Sequence, residues 1–207
     1  MKPEDGLFEF VWSVCRDGYR YEERNVEEGI IPVVVKNSAR FRNYRPLVEF
    51  PGLFRRLAHV PTEPGPIVEF ANEFGLLWQE SGDFDDYQGF VRSIFEMSYV
   101  VDAIDRGRYE DARHIFNTPH IRPTFAIGLY VLSGPRSQMK IQPLSLMAAL
   151  WKQVAEEIST GTNFKKCKFC PMWFSYGPGT GRKNTKVFCS DRCRVAWNRQ
   201  KKKEASK

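Results

Sequence analysis

The spacing of apolar residues predicts helices through the middle of the chain. Between residues 86 and 105, apolar side chains recur every three to four positions, the period of a helix with one face on a core. They are Tyr87, Phe90, Val91, Ile94, Met97, Val101 and Ile104. Similar spacing predicts helices over 67–74, which stops at Gly75, over 109–116, and from Pro143 to about Ser159.

Strands are predicted where β-branched and aromatic residues cluster. Residues 30–35 form a β-branched run whose Pro32 suits a strand start or a sheet edge. Residues 19–21 and 41–44 alternate aromatic and basic side chains, which favours half-buried strands over an exposed binding strip. Segments 124–132 and 138–142 flank a Ser-Gly-Pro-Arg turn and predict a hairpin. The fold class expected is therefore α+β, with a mixed helix and strand N-terminal domain.

Four cysteines near the C-terminus carry the clearest chemical pattern. Cys167 and Cys170 are separated by two residues, and Cys189 and Cys193 by three, with 18 residues between the pairs. Two short-spaced thiol pairs are typical of a tetrahedral zinc site. Because sulfur fills all four positions, the expected cofactor is one structural Zn²⁺ rather than a catalytic ion.

The segments around the cysteines predict a small treble-clef-like zinc finger. The first pair forms a tight knuckle, residues 171–174 and 185–188 form a hairpin, and Ser190 caps a helix that carries Cys193. On that helix Cys193, Ala196, Trp197 and Gln200 share the face towards the metal. Phe169, Trp173, Phe188 and Trp197 are expected to form the core of this unit.

Charge divides the chain at about residue 160. Residues 161–207 hold 13 Lys and Arg against two acidic residues, whereas residues 1–160 hold 18 basic and 23 acidic residues. We name these ranges the C-terminal module and the body, and expect them to be separate domains joined by a short hinge at 161–163. A basic arm on an acidic body suits a polyanion, although a merely solubilising tail has the same composition.

The basic residues of the module are the candidate nucleic-acid contacts. They line the glycine-rich turn and both flanks of the last helix: Arg182, Lys183, Lys186, Arg192, Arg194, Asn198, Arg199, Lys201, Lys202 and Lys203. Arginine forks suit phosphates, and an asparagine among them can reach a base edge. Nucleic acid is therefore favoured over a protein partner.

The module resembles a known bacterial zinc finger. The first cysteine pair, Trp173-Phe174, a basic turn, Phe188-Cys189-Ser190 and an Arg-rich helix are similar to the CGNR-type finger. That finger ends bacterial proteins with an ABATE-type N-terminal domain, a family of stress-induced transcription regulators. The resemblance implies zinc and DNA binding. The Cys-Gly-Asn-Arg signature itself is absent, because Cys193 is followed by Arg194-Val195-Ala196.

Other candidate sites have structural explanations. Cys15 is expected to be buried, with nothing nearby to lower its pKa, and Asp83, Asp85 and Asp86 to cap a helix rather than bind metal. The three histidines match no ligand or triad pattern. The glycine-rich turn lacks the Gly-Lys-Ser/Thr of a phosphate-binding loop. We find no enzyme signature, secretory signal or membrane span, so a cytoplasmic binding protein is expected.

The sequence thus favours a zinc-finger DNA-binding protein that regulates transcription. In this hypothesis the body senses a small-molecule effector or forms a homodimer, since paired half-sites commonly supply specificity. Two alternatives remain open. The module is a docking site for a protein partner, or it binds RNA or single strands with Trp173 or Tyr176 stacked on unpaired bases.

Overall fold

A computed structural model describes residues 10–27, 29–78, 83–118, 125–131, 137–177 and 180–205. These ranges contain nine strands and seven helices. In chain order they are β1 (Trp12–Cys15), β2 (Tyr19–Val26), β3 (Gly29–Lys36), β4 (Phe41–Tyr44), α1 (Pro46–Glu49), α2 (Leu53–Leu57), α3 (Pro64–Phe74), β5 (Phe84–Asp86), α4 (Tyr87–Asp105), α5 (Tyr109–Phe116), β6 (Phe125–Val131), β7 (Ser137–Pro143), α6 (Leu146–Thr160), β8 (Asn163–Lys166), β9 (Trp173–Tyr176) and α7 (Asp191–Ala205). The α+β class is confirmed.

The strands predicted around residues 19–21, 30–35 and 41–44 are confirmed as β2, β3 and β4, and they form two small antiparallel sheets together with β1 and β5, which were not predicted. Strand β1 pairs with β4, and β3 lies between β2 and β5. The β-branched run is the middle of β3, where Val33, Val34 and Val35 are buried. Strand β5 pairs only with those three residues, so Pro32 lies where the sheet is two strands wide. This is the edge position that a proline requires.

The helix boundaries follow their capping residues. Helix α4 begins after Asp86, whose carboxylate accepts hydrogen bonds from the backbone N–H groups of Gln88 (3.3 Å) and Gly89 (2.7 Å). The prediction that Pro143 starts a helix is wrong, because Pro143 ends β7 instead. Helix α6 starts three residues later, since the Ser145 hydroxyl accepts from the Ala148 N–H at 3.0 Å. No helix in the part of the chain described is long and apolar enough to cross a membrane.

Strands β1 and β3 and helices α2, α3, α4 and α6 share one hydrophobic core. Its largest fully buried side chains include Trp12, Trp151, Phe54 and Phe74. The Trp12 indole satisfies its buried N–H by donating to the Leu76 carbonyl at 3.0 Å. The core also extends to Phe164 of β8, whose ring lies 5.8 Å from that of Phe54.

The hairpin of the C-terminal module differs from the prediction. Strand β9 pairs with β8, which precedes the first cysteine pair, and not with residues 185–188. Segment 185–188 contacts the knuckle instead, because the Lys168 N–H donates to the Val187 carbonyl at 3.0 Å. Helix α6 ends as predicted at Gly161, with φ 63°, and β8 begins two residues later. Division into two domains stays a prediction, and the two parts are in direct contact through α2, β8 and β9.

Candidate metal centre

The four cysteines predicted as metal ligands lie together. Their Sγ atoms are all within 4.8 Å of one another. Individual separations are 3.6 Å between Cys170 and Cys189, 3.4 Å between Cys189 and Cys193, and 3.7 Å between Cys193 and Cys170. A tetrahedral site with metal–sulfur bonds of about 2.3 Å separates its sulfurs by about 3.8 Å. The cluster can therefore hold a metal ion, and its geometry is compatible with a zinc finger.

Backbone hydrogen bonds position the first pair. The Cys167 N–H donates to the Met172 carbonyl at 2.8 Å and closes the knuckle. The Cys189 N–H then donates to the Cys167 sulfur at 3.4 Å, which brings the second pair to the first. Amides directed at sulfur favour the thiolate, which is the metal-binding form.

The second pair is positioned by the start of α7. The Ser190 hydroxyl accepts from the Cys193 N–H at 3.3 Å, and the Ser190 carbonyl accepts from the Arg194 N–H at 3.2 Å. The predicted N-cap is confirmed. Cys193 lies in the first turn of α7, so the metal centre and the basic helix share this element.

The pKa values of the thiols show what a cation would change. Burial raises the pKa of Cys167, but hydrogen bonds from backbone amides, chiefly those of Cys170 and Cys189, outweigh it and bring that pKa to about 7. Burial and the neighbouring sulfurs raise the pKa of Cys189 to about 12. Burial and the nearby sulfurs thus oppose the thiolate form of Cys189. A central divalent cation removes that penalty, because it pairs with every thiolate at once.

The core of the module is not the predicted one. Phe174 is its buried aromatic residue, 1% exposed, whereas Phe169 is 41% exposed. Trp173, the neighbour of Phe174 on β9, faces the body instead, with its ring 5.8 Å from that of His59. Adjacent residues on a strand point to opposite faces, and the sequence alone does not say which face meets which layer. Phe188 and Trp197 do meet as predicted, with ring centroids 6.4 Å apart.

Two lysines lie against the Trp197 ring. The ammonium groups of Lys168 and Lys201 are each 5.1 Å from its ring centroid, a distance at which a cation is attracted to the ring face. Lys168 is absent from the predicted contacts. Its position between the first two cysteines is the signal that could have identified it, because those cysteines and the helix that carries Cys193 share one metal site.

The two predicted flanks of α7 differ in whether their cations form ion pairs within the described ranges. Arg192, Arg199 and Lys203 lie on one side and are exposed, and none has an ion-pair or hydrogen-bond partner within the described ranges. On the other side Arg194 pairs with Asp191 at 3.3 Å and Lys201 with Glu204 at 3.0 Å. Asn198 is exposed on that second side, and Lys202 is exposed between the two. The first flank is thus the one whose cations are open to an external anion.

One of the predicted nucleic-acid contacts in the glycine-rich turn, Arg182, is bound to other residues of the module. The Arg182 guanidinium lies 5.8 Å from the Phe174 ring and donates to the Ser175 carbonyl at 3.4 Å, so it covers the module's core. Lys183 is exposed and Lys186 half-buried. Gly177 and Arg182 form an isolated bridge, which confirms a turn here.

The three acidic residues 83, 85 and 86 have structural roles, and His114 lies on the surface. Asp86 caps α4 as predicted, Asp83 pairs with Lys36 at 3.0 Å, and buried Asp85 accepts from the Leu77 N–H at 2.5 Å. His114 is exposed on α5, and His120 lies outside the described residues.

Cys15 is buried as predicted, at 2% exposure. The expectation that nothing lowers its pKa is wrong. Burial raises that pKa, but the Ser38 hydroxyl at 3.5 Å and nearby backbone amides outweigh it, so the thiol pKa is lowered.

A scan against protein-family models matches no family, and a search of curated proteins finds no relative. The resemblance to the CGNR-type finger and the ABATE-type domain therefore stays a prediction. What the structure contributes independently is the four-cysteine cluster.

Proposed function

We propose that the C-terminal module is a zinc finger that binds duplex DNA, and that the protein is a non-enzymatic regulator of transcription. The observation that carries the proposal is the flank of Arg192, Arg199 and Lys203, exposed and without ion-pair partners in the described structure. These residues span about 16 Å along α7 at 1.5 Å per residue. A row of free cations on a helix suits the phosphates that border a groove.

The surface beside this flank offers groups that distinguish bases. Val195 is 43% exposed and Asn198 is exposed further along the helix. In a major groove, an asparagine pairs with adenine through two hydrogen bonds, and an apolar side chain contacts the thymine methyl group. Trp173 and Tyr176, the residues expected to stack on unpaired bases, are engaged by His59 and by Lys165, whose ammonium is 3.7 Å from the Tyr176 ring. Both facts favour duplex over single strands.

The test is fluorescence anisotropy of a labelled mixed-sequence duplex, titrated with zinc-loaded full-length protein over a series of salt concentrations. A surface that neutralises about five phosphates has log K falling with log salt at a slope near −4.5. The triple variant Arg192→Ala, Arg199→Ala, Lys203→Ala should lose most of that slope. Absence of binding at low salt, with zinc content confirmed, contradicts the proposal.

A protein partner is the second candidate, because apolar side chains are exposed on the module. Phe169 is 41%, Val187 45% and Val195 43% exposed. If the module docks a protein partner, Val187→Asp should abolish the function of the protein in cells, while the triple flank variant should retain that function. DNA binding predicts the opposite ranking.

A further inference from the structure

A cleft of about 530 Å³ separates α2 and α3 of the body from the β8–β9 hairpin. Its size falls within the range of about 300–1,000 Å³ that small-molecule sites occupy. The body contributes Phe70 and Pro66, while the module contributes Trp173 and Pro171, so about half of the lining is apolar. Because both parts form it, the cleft exists only while the module is docked on the body.

Two of the charged residues that line the cleft, Arg56 and Glu73, already pair with each other. Arg56 binds Glu73 through both of its terminal nitrogens, one of them 2.8 Å from Oε1, and its guanidinium lies 4.6 Å from the Phe74 ring. This pair therefore supplies a neutral rim and no net attraction for a charged ligand.

Lys166 and Glu69 are the unsatisfied charges. Both are exposed, and neither has an ion-pair partner among the residues described. Lys166 belongs to β8 and Glu69 to α3, so one cation and one anion border the cleft from different parts of the chain. A polyanion is a poor occupant, because the cleft has as many carboxylates as Lys and Arg cations and so offers it no net attraction.

His59 adds a directed acceptor. Its Nδ1 lies 2.6 Å from the Arg55 carbonyl, which can only accept, so Nδ1 is the donor there and Nε2 is the ring nitrogen left for a ligand. The ring lies 5.8 Å from Trp173 and belongs to the same wall. An ammonium has three donors and can bind both Glu69 and His59.

We propose that this cleft binds a free α-amino acid with an apolar or aromatic side chain. The ligand carboxylate pairs with Lys166, its ammonium with Glu69 and His59, and its side chain packs on Trp173 and Phe70. A zwitterion is the ligand class that matches one positive and one negative group around an apolar floor. The site does not depend on what α7 binds.

The test is isothermal titration calorimetry of the zinc-loaded full chain with L-phenylalanine. We expect saturable binding with a Kd on the order of 1 mM or tighter, as for a small ligand of about 0.3 kcal/mol per heavy atom. 2-Phenylethylamine, which lacks the carboxylate, and 3-phenylpropanoate, which lacks the ammonium, should each bind about tenfold more weakly.

Substitutions at two exposed residues test which charged group of the ligand each residue binds. Lys166→Met should weaken L-phenylalanine about tenfold and leave 2-phenylethylamine unchanged, while Glu69→Gln should weaken L-phenylalanine and leave 3-phenylpropanoate unchanged. Lys165→Met is the matched control, because Lys165 lies on the same strand but contacts Tyr176 and the Asn184 carbonyl. It should not alter the affinity.

The proposal is overturned if none of L-phenylalanine, L-tryptophan, L-leucine and L-methionine binds saturably. It is also overturned if Lys166→Met weakens both charged analogues equally, because the carboxylate then has no specific partner. Failure of DNA binding leaves these outcomes unaffected.

Discussion

The guanidinium carbon of Arg55 lies 5.4 Å from the ring centroid of Trp173, across the contact between the body and the C-terminal module. The same side chain binds Glu157 at 2.5 Å and Asp105 at 2.7 Å. Arg55 and Glu157 are 3% and 5% exposed. Burial opposes the charge of Arg55, yet the two carboxylates outweigh it and raise the guanidinium pKa. One buried cation thus joins α2, α4, α6 and β9.

Replacing Glu157 should destabilise the whole molecule. Glu157→Gln leaves the buried Arg55 with only Asp105, which is 54% exposed. Removing one partner of a buried ion pair costs about 3–5 kcal/mol in the free energy of unfolding, and Asp105 should keep the loss near the lower figure. Urea denaturation measures it.

The double variant Arg55→Met, Glu157→Leu is the control. Apolar replacement of both partners is often neutral, so it should recover most of the stability lost by the single change. A single variant within 1 kcal/mol of the wild type, by the same measurement, contradicts a tightly buried pair.

Gly52 permits the close docking of the module. It has φ +82°, and a Cβ there would lie 2.9 Å from the Phe164 ring and 3.0 Å from Trp173 Cβ. Gly52→Ala should therefore lower the free energy of unfolding by about 2–4 kcal/mol, through both backbone strain and overlap.

Gly107→Ala is the matched control for Gly52→Ala. Gly107 also has a positive φ, +72°, but an added Cβ there would meet open space. It should cost only the strain, about 1 kcal/mol. Denaturant unfolding compares the two variants. Equal losses in the free energy of unfolding would show that the module does not pack closely against Gly52.

The purified protein should carry one tightly bound Zn²⁺ per chain, measured by mass spectrometry under native conditions or by elemental analysis. Cys170→Ser should abolish stoichiometric zinc and unfold the module, because a unit this small cannot bury enough apolar surface without the metal. Cys15→Ser should keep the zinc, since Cys15 lies in β1 outside the cluster. Retention of one zinc by Cys170→Ser argues against a four-sulfur site.

Arg199→Ala should reduce the salt slope of DNA binding by about 1, as expected when one phosphate contact is lost, and weaken binding similarly for all sequences. Arg113→Ala removes an exposed arginine of the body, 67% exposed and paired with Glu110, and should leave the slope unchanged. Anisotropy titrations compare the two. If both variants behave alike, binding is a property of net charge and not of α7.

Local patterns predicted most elements of this fold. Asp86 before the apolar period of α4, Ser190 before α7 and the β-branched run of β3 each act through neighbours a few residues away. The first residue of α6 was mispredicted, because Pro143 and Ser145 are both good helix starters and pairing of β7 with β6 selected the second.

The cysteine cluster was also readable from the chain, because two short-spaced pairs must converge if they share one ion. The partner of β9 was not. Segments 163–166 and 185–188 are both short, mixed and close in sequence, and contacts with the body, such as that of Phe164 with Phe54, favour the first.

The amino-acid sequence by itself determined the helices other than α1 and α2, strands β2 to β4, the four sulfur ligands and the charge asymmetry, since each depends on composition or on spacing within one segment. Tertiary structure alone decided that Trp173 faces the body, that Arg55 is buried between two carboxylates, and that Lys166 and Glu69 border one cleft. These relationships join residues about 50 to 120 positions apart. The free energy of these long-range contacts comes from desolvation and from packing between layers, and a local sequence pattern does not predict either.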